Sequence, residues 1–145
     1  MKESDEKAEL TVEAVLDNLE LVTSFVDERL EAVECPGKVQ AKIHIAIDEI
    51  FSNIAHYAYC PKTGMVTVQV EVVRDPLTLY ITFIDQGIPY NPFSMPDPDI
   101  SLPAEERRIG GLGIYMVRNS MDDVSYEYRN GKNILTITAG MALLP

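Results

Sequence analysis

The sequence predicts an α+β fold in which helices cover one face of a mixed, mostly antiparallel sheet of four or five strands. Three observations lead to this prediction. Two stretches near the N-terminus carry apolar residues at every third or fourth position, the period of a helix with one buried face. Strand-like segments with period-two alternation follow. Asn130-Gly131 joins the last two of them as a hairpin, so helices and sheet form a two-layer α/β sandwich.

Both long helices are predicted in the N-terminal half. Residues 1–8 are expected to form a short charged tail, and residues 10–14 a brief edge strand. Apolar residues at helical spacing then predict one helix over residues 15–33 and a second over residues 39–60. Pro-containing dipeptides follow both stretches, which is how a helical pattern usually ends.

The C-terminal half is predicted to supply most of the sheet. Between the second and third of its strands, residues 86–113 are rich in Pro and Gly and show no clear periodicity. Long loops of this kind are usually lids or binding loops, and a short helix is expected to start just after Gly113. The predicted strands cover residues 65–72, 77–85, 123–129 and 133–139.

Length and composition indicate one soluble domain spanning residues 1–145. The net charge of −11 works against binding nucleic acid or anionic lipid, since both require a concentration of positive charge. No stretch is apolar and long enough to span a membrane or to act as a secretion signal, so a cytoplasmic protein is expected. Cys35 and Cys60 lack metal-site spacing and are expected to be reduced thiols.

Two short segments place polar residues where packing alone does not require them. Glu49 and Asn53 are four residues apart on the second predicted helix and therefore share one face. A carboxylate can orient or deprotonate a nucleophile, and an amide oxygen can ligate a hard cation. Asp85 and Gly87 follow a buried strand, where an aspartate can accept hydrogen bonds from an exocyclic amine. Taken singly, a solvated helix face and an ordinary strand-ending turn are the commoner explanations of these pairs.

A third segment is glycine-rich and precedes the last predicted helix. Glycines that open a helix expose backbone N–H groups and the positive end of the helix dipole to an anion such as phosphate. The segment lacks the ending of a Walker A loop and the strand that precedes a dinucleotide-binding loop. A flexible hinge is the alternative for its glycines, which are Gly110, Gly111 and Gly113.

Together, the three segments resemble the sequence boxes of the GHKL (Bergerat-fold) ATPase superfamily, and within it the small anti-sigma-factor serine kinases. The family pattern has ExxxN on a helix, which Glu49 and Asn53 match. It has DxGxG after a strand, which Asp85 and Gly87 match in part, and GGxG before a helix, which residues 110–113 match. The resemblance covers nearly the whole chain and implies the Bergerat ATP-binding fold.

The resemblance also implies that the chain binds ATP and Mg²⁺. Asn53 is expected to ligate Mg²⁺ at the ATP phosphates, and Glu49 to act as the base that deprotonates an attacking hydroxyl. Asp85 is expected to hydrogen-bond the adenine amine, and Gly87 to leave room for the ring. An ATP lid is expected over about residues 88–112. The glycines that carry this lid and are expected to cradle the phosphates are Gly110, Gly111 and Gly113.

The chain departs from the family pattern at two positions. Pro89 replaces the second glycine of DxGxG, which stiffens that turn. Tyr57 stands where members often carry a histidine, and no role is transferred to the neighbouring His56.

The resemblance implies a protein serine/threonine kinase that phosphorylates a small STAS-like antagonist (anti-anti-sigma) protein and sequesters a sigma factor, and it implies a homodimer. The alternative is a nucleotide-responsive module that binds a partner without transferring phosphate. A degenerate member that binds no nucleotide is a third hypothesis.

Overall fold

The computed structural model describes residues 4–74, 76–94 and 111–141. The helices are α1 (Leu19–Ala32), α2 (Gly37–Asn53) and α3 (Gly111–Ser120), and α2 continues directly into a π-helical segment, Ile54–Ala58. Single 3₁₀ turns lie at Leu16–Asn18 and Pro92–Ser94. The strands are β1 (Ser4–Glu13), β2 (Met65–Val73), β3 (Thr78–Asp85), β4 (Asp123–Arg129) and β5 (Lys132–Gly140).

The five strands form one sheet in the order β1-β2-β3-β5-β4. Every pairing between described strands is antiparallel, so the sheet is more regular than the mixed one that was predicted. Asn130 and Gly131 have positive φ angles of 54° and 76°, as a two-residue hairpin turn requires, and the predicted β4–β5 hairpin is confirmed. Because β5 lies beside β3, Asp85 at the end of β3 is directly opposite Asn133 at the start of β5.

One hydrophobic core lies between the sheet and the helices, as predicted. The inward positions of β2, Val66, Val68, Val70 and Val72, are each at most 1% exposed. Apolar residues of all three helices belong to the same core, among them Val26, Ile47 and Val117. The predicted α+β sandwich with helices on one face is therefore confirmed, and its solid core fixes the ends of α2, β3 and β5 relative to one another.

The predicted charged tail at residues 1–8 is wrong for residues 4–8, which belong to β1. The strand pairs with β2 along its length, from Ser4 opposite Val73 to Glu13 opposite Met65. Charged residues are compatible with this position because an edge strand presents one row of side chains to water, and Lys7 and Glu9 are exposed. Ala8 and Leu10 alternate with them and are partly buried.

The structure bears on the two cysteines and on membrane-spanning helices. Cys35 is partly buried and Cys60 is exposed, and both are free cysteines, so no disulfide joins them. No helix in the described part of the chain has the length and apolar character to cross a membrane.

Candidate functional site

A pocket opens where the C-terminal end of α2 meets the ends of β3 and β5. It has an empty volume of about 440 Å³ including the open space at its mouth. Most of its lining is apolar or aromatic, with a few polar groups among them. The lining residues are Ile50, Asn53, Ile54, Tyr57, Ala58, Phe83, Asp85, Ile88, Tyr90, Pro92, Tyr126, Asn133 and Leu135.

Asp85 and Asn133 are the polar residues at the buried end of this pocket. Each is 5% exposed, and the amide of Asn133 donates a hydrogen bond of 2.9 Å to Oδ1 of Asp85. The same oxygen accepts a second hydrogen bond of 2.8 Å from the backbone N–H of Gly87. Oδ2 of Asp85 receives no hydrogen bond from any described residue. A buried carboxylate with one saturated and one free oxygen can therefore accept a donor from a ligand.

Asn53, the last residue of α2, also lines this pocket. Its carboxamide has no hydrogen-bond partner within the described ranges, although the residue lines the pocket. Directly after it the helix widens into the π-helical segment, which contributes Ile54, Tyr57 and Ala58 to the pocket wall. Insertions of this kind are rare and often mark functional sites. The two predicted ligand-binding residues, Asn53 and Asp85, are thus brought into one pocket.

Glu49 is not among the described lining residues of the pocket. It lies one helical turn before Asn53, half-buried where α3 packs on α2. Its carboxylate is so close to Gly113 that a Cβ there would lie 2.5 Å from Oε1 and closer still to Cδ and Oε2. Burial raises the pKa of the Glu49 carboxyl above its usual value, and the charge of Asp48 raises it further. This environment favours a carboxylate that takes up protons more readily than an exposed one.

Gly87 packs closely against the π-helical segment that follows α2. A Cβ at this position would lie 2.6 Å from the carbonyl carbon of Ala58 and closer still to its oxygen. The next residue, Ile88, donates a backbone hydrogen bond of 2.9 Å to that same oxygen. The glycine is therefore required by contact with the π-helical segment, and it brings the loop after β3 against the end of α2.

The predicted ATP lid at residues 88–112 is only partly described. Residues 88–94 are tied to the body of the domain: Tyr90 N–H donates to Tyr126 and Asn133, and Arg118 of α3 donates to the carbonyl of Phe93. Residues 111 and 112 belong to α3, which begins at Gly111 and not after Gly113 as predicted. Gly110 and the rest of the predicted lid lie outside the described residues.

Sequence analysis missed two residues of the site, Asn133 and Tyr126. The hydroxyl of Tyr126 donates to Oδ1 of Asn133, and the ring is partly buried against the core. The alternation in β5 does contain a signal for Asn133. This polar residue occupies the inward face of the strand together with Leu135 and Ile137. A polar residue in that row requires a partner, and the partner is Asp85.

The donor set fits a magnesium nucleotide. Mg²⁺ is usually held by one or two protein oxygens together with substrate phosphates. The Asn53 carboxamide offers such an oxygen, while no cluster of three or more His, Cys, Asp or Glu that could hold a metal occurs in the described part of the chain. An ion at Asn53 would take its remaining ligands from phosphate oxygens and water. Apolar walls and the free oxygen of Asp85 suit a flat heterocycle that carries an amine.

The chain is similar to known proteins over most of its length. A model of the histidine kinase-like ATPase domain matches residues 12–139. The chain is 26% identical over 107 residues to the serine/threonine-protein kinase BtrW of Bordetella bronchiseptica, a match that covers 73% of this chain and 74% of BtrW. It is 30% identical over 95 residues to the serine-protein kinase RsbW of Bacillus mycoides. That match covers 63% of this chain and 58% of the relative, so the chain spans little more than half the length of RsbW.

A solved structure has the same fold. The crystal structure of the RsbU and RsbW domains of a Mycobacterium tuberculosis protein superposes with a TM-score of 0.65. The superposition covers 92% of this chain and 32% of that chain, at 17% sequence identity. At such low identity the likeness supports the fold alone.

Proposed function

Since the chain belongs to the histidine kinase-like ATPase domain family, we propose that it binds Mg-ATP and transfers the γ-phosphoryl group to a serine or threonine hydroxyl of another protein. One observation carries this proposal. The free oxygen of Asp85 and the unpartnered carboxamide of Asn53 lie in the same pocket. The first suits the amine of adenine, and the second suits a magnesium ion on the phosphates.

In the proposed complex, adenine lies between the apolar walls and its amine donates to Oδ2 of Asp85. The side-chain oxygen of Asn53 holds Mg²⁺, which when bound neutralises charge on the phosphate oxygens. Ile50 and Phe83 are almost fully buried beside these groups, and they exclude water from the base. Exclusion of water strengthens the hydrogen bond to Asp85.

Glu49 acts as the general base in this proposal. It takes the proton from the acceptor hydroxyl, whose oxygen forms a bond to the γ-phosphorus while the bond between that phosphorus and the β,γ-bridging oxygen breaks. The electron pair of the broken bond leaves with ADP. The raised pKa of Glu49 supports the assignment because it brings the base closer to working pH.

The protein acceptor is proposed to be a small STAS-like antagonist, and the chain is proposed to sequester a sigma factor as a homodimer. The names of the RsbW and BtrW relatives support a serine/threonine kinase, but they do not specify these partners. Pull-down with a STAS-like domain and a sigma factor from the same genome tests the partners. Sedimentation of the purified chain tests the dimer.

A labelled-phosphate assay tests the transfer step. The chain is incubated with γ-labelled Mg-ATP and the STAS-like domain, using Glu49→Gln as the inactive variant and a serine-to-alanine acceptor as the control. Label is expected on the wild-type acceptor, with a rate at least about 100-fold lower for Glu49→Gln. Binding of ATP without any label on the acceptor would contradict the kinase proposal.

One observation favours a second candidate function, a nucleotide-responsive module that binds a partner without phosphotransfer. The Glu49 carboxylate lies against Gly113, outside the described lining of the pocket. In this alternative, nucleotide binding changes the partner-binding surface without any chemistry. The same assay separates the two, because the module gives nucleotide-dependent pull-down with no label transfer.

A further inference from the structure

Asn133 has all of its side-chain hydrogen-bonding groups engaged inside the protein. Its amide nitrogen donates to Oδ1 of Asp85 and to the carbonyl of Ile88, both at 2.9 Å. Its oxygen accepts from the backbone N–H of Tyr90 at 3.1 Å and from the hydroxyl of Tyr126. An amide group offers two N–H donors and one carbonyl acceptor with two lone pairs. Asn133 therefore has no group left over for a ligand.

These partners fix the orientation of the carboxamide. Turning it by 180° would bring its oxygen against two acceptors, the Asp85 carboxylate and the Ile88 carbonyl. It would also bring its NH₂ group against the N–H of Tyr90. Since Asn133 is only 5% exposed, water cannot relieve these contacts, so the observed orientation is the stable one.

The fixed amide in turn fixes the Asp85 carboxylate. Oδ1 of Asp85 is held by two donors, the amide of Asn133 and the backbone N–H of Gly87. Rotation of the carboxylate about its Cβ–Cγ bond would break both hydrogen bonds. Oδ2 therefore has a set direction and presents only an acceptor to the pocket.

The side-chain amide of Asn133 also holds the loop that contains Pro89, the residue that replaces the second glycine of the DxGxG pattern. Pro89 has no backbone N–H of its own. The neighbouring carbonyl of Ile88 and N–H of Tyr90 are both bound by Asn133. The stiff turn at Pro89 is thus attached to β5 through one side chain, and it forms a rigid part of the pocket wall.

From this geometry we infer that Asn133 is a positioning residue that makes the pocket selective for a purine with an amine at C6 over one with a carbonyl there. The inference rests on the proposed nucleotide-binding function. A 6-amino purine donates to Oδ2 of Asp85, whereas a 6-keto purine brings a second acceptor against it. Because the carboxylate cannot rotate away, the repulsion is retained and the keto base is rejected.

Calorimetric titration of the full chain with Mg-ADP and with Mg-IDP tests the inference, since the two bases differ only in the group at C6 and the attached ring proton. Wild type is expected to bind ADP at least about tenfold more tightly than IDP, the ratio that one hydrogen bond to a charged group supplies. In Asn133→Ala, Oδ1 of Asp85 keeps only the hydrogen bond from the N–H of Gly87, so the carboxylate can rotate more easily. We expect weaker ADP binding with unchanged or stronger IDP binding, so that the ratio falls to roughly threefold or less.

Two further variants complete the experiment. Tyr126→Phe removes one hydrogen bond to the side-chain amide of Asn133 and is expected to fold. It should lower the ratio of ADP affinity to IDP affinity by roughly twofold to fivefold. It keeps the inference testable if Asn133→Ala does not fold. Asn119→Ala is the matched control, because Asn119 is exposed on α3 and, among the described residues, its side chain bonds only the Tyr115 carbonyl of the same helix. The ratio of ADP affinity to IDP affinity in Asn119→Ala should equal that of wild type.

The possible failures are distinguishable. If wild type binds neither nucleotide, the proposed function is wrong and the inference falls with it. If wild type prefers ADP but Asn133→Ala or Tyr126→Phe weakens both nucleotides by the same factor, the proposed function stands and the inference is overturned, since that result reflects a purely structural role. Equal binding of ADP and IDP by wild type also overturns it.

Discussion

Replacing Gly113 with alanine should separate phosphoryl transfer from nucleotide binding. The added methyl group would lie 2.5 Å from Oε1 of Glu49 and closer still to two other carboxyl atoms. Ordinary contacts between heavy atoms are about 3.5–4.0 Å, so the carboxylate must move by at least about 1 Å. It lies at the end of a flexible side chain and can do so by rotating away from α3.

The expected cost in stability is small for this reason. Alanine gains roughly 0.5–1 kcal/mol over glycine within a helix, while overpacking costs about 1–3 kcal/mol when the neighbouring atoms cannot move. Because the Glu49 carboxylate can move, the free energy of unfolding should change by no more than about 1 kcal/mol. The rate of phosphoryl transfer should fall by about 100-fold, the loss that a misplacement of 1 Å can produce.

The assay combines three measurements on one preparation. Thermal unfolding gives stability, calorimetry gives the dissociation constant for Mg-ADP, and labelled ATP gives the transfer rate to the STAS-like domain. Gly37→Ala is the matched control, since Gly37 also lies in the first turn of a helix but a Cβ there meets nothing within 4 Å. It should leave binding and transfer unchanged.

A Gly113→Ala variant with the transfer rate of wild type would refute this reasoning. It would mean that the observed position of Glu49 against α3 is not needed for chemistry. Loss of ADP binding together with the transfer rate would also count against it, because the atoms nearest the added methyl group all belong to Glu49.

Three further predictions concern stability and pH. Gly87→Ala should lower the free energy of unfolding by at least about 2 kcal/mol, since the added Cβ would overlap the backbone of Ala58, and chemical denaturation measures this. The raised pKa of Glu49 means that the folded state favours its protonated form, so this group's contribution to stability is lost as the pH rises through that pKa. The melting temperature of Glu49→Gln should therefore be no lower than that of wild type at neutral pH. The transfer rate of wild type should fall as the pH drops through the pKa of Glu49, and Glu49→Gln should lack this fall. Tyr59→Phe removes a hydroxyl that donates one hydrogen bond and accepts another, and should cost roughly 1–3 kcal/mol in thermal unfolding. An unchanged melting temperature in Gly87→Ala or Tyr59→Phe would contradict the prediction for that variant. A melting temperature below that of wild type would contradict the prediction for Glu49→Gln.

The fold was largely predictable because its elements follow local rules. The alternation in β2, the helical spacing in α2 and the Asn130-Gly131 turn each require only neighbouring residues to be recognised. Residues 4–8 of β1 were the exception, since an edge strand tolerates charged side chains on its solvent face and the charges of this segment resembled those of a tail. The π-helical segment has no local signal comparable to these.

The site was predictable where chemistry is concentrated in short motifs and not where it depends on strand pairing. Asn53 and Asp85 were both identified from the sequence, and the structure brings them to one pocket. Asn133 was missed because its partner Asp85 is 48 residues away and reaches it only through the pairing of β3 with β5. Gly113 was interpreted as a phosphate ligand, while its contact with Glu49 depends on how α3 packs on α2.

Binding of Mg-ADP to wild type and to Asp85→Asn tests the central claim most directly. The substituted amide can keep both internal hydrogen bonds through its oxygen, while its NH₂ group replaces Oδ2 in the pocket. Calorimetry should show binding to wild type and at least about tenfold weaker binding to the variant, with similar melting temperatures. No heat with wild type at millimolar Mg-ADP, or equal affinity in the two proteins, would contradict the claim that this pocket holds the nucleotide through Asp85.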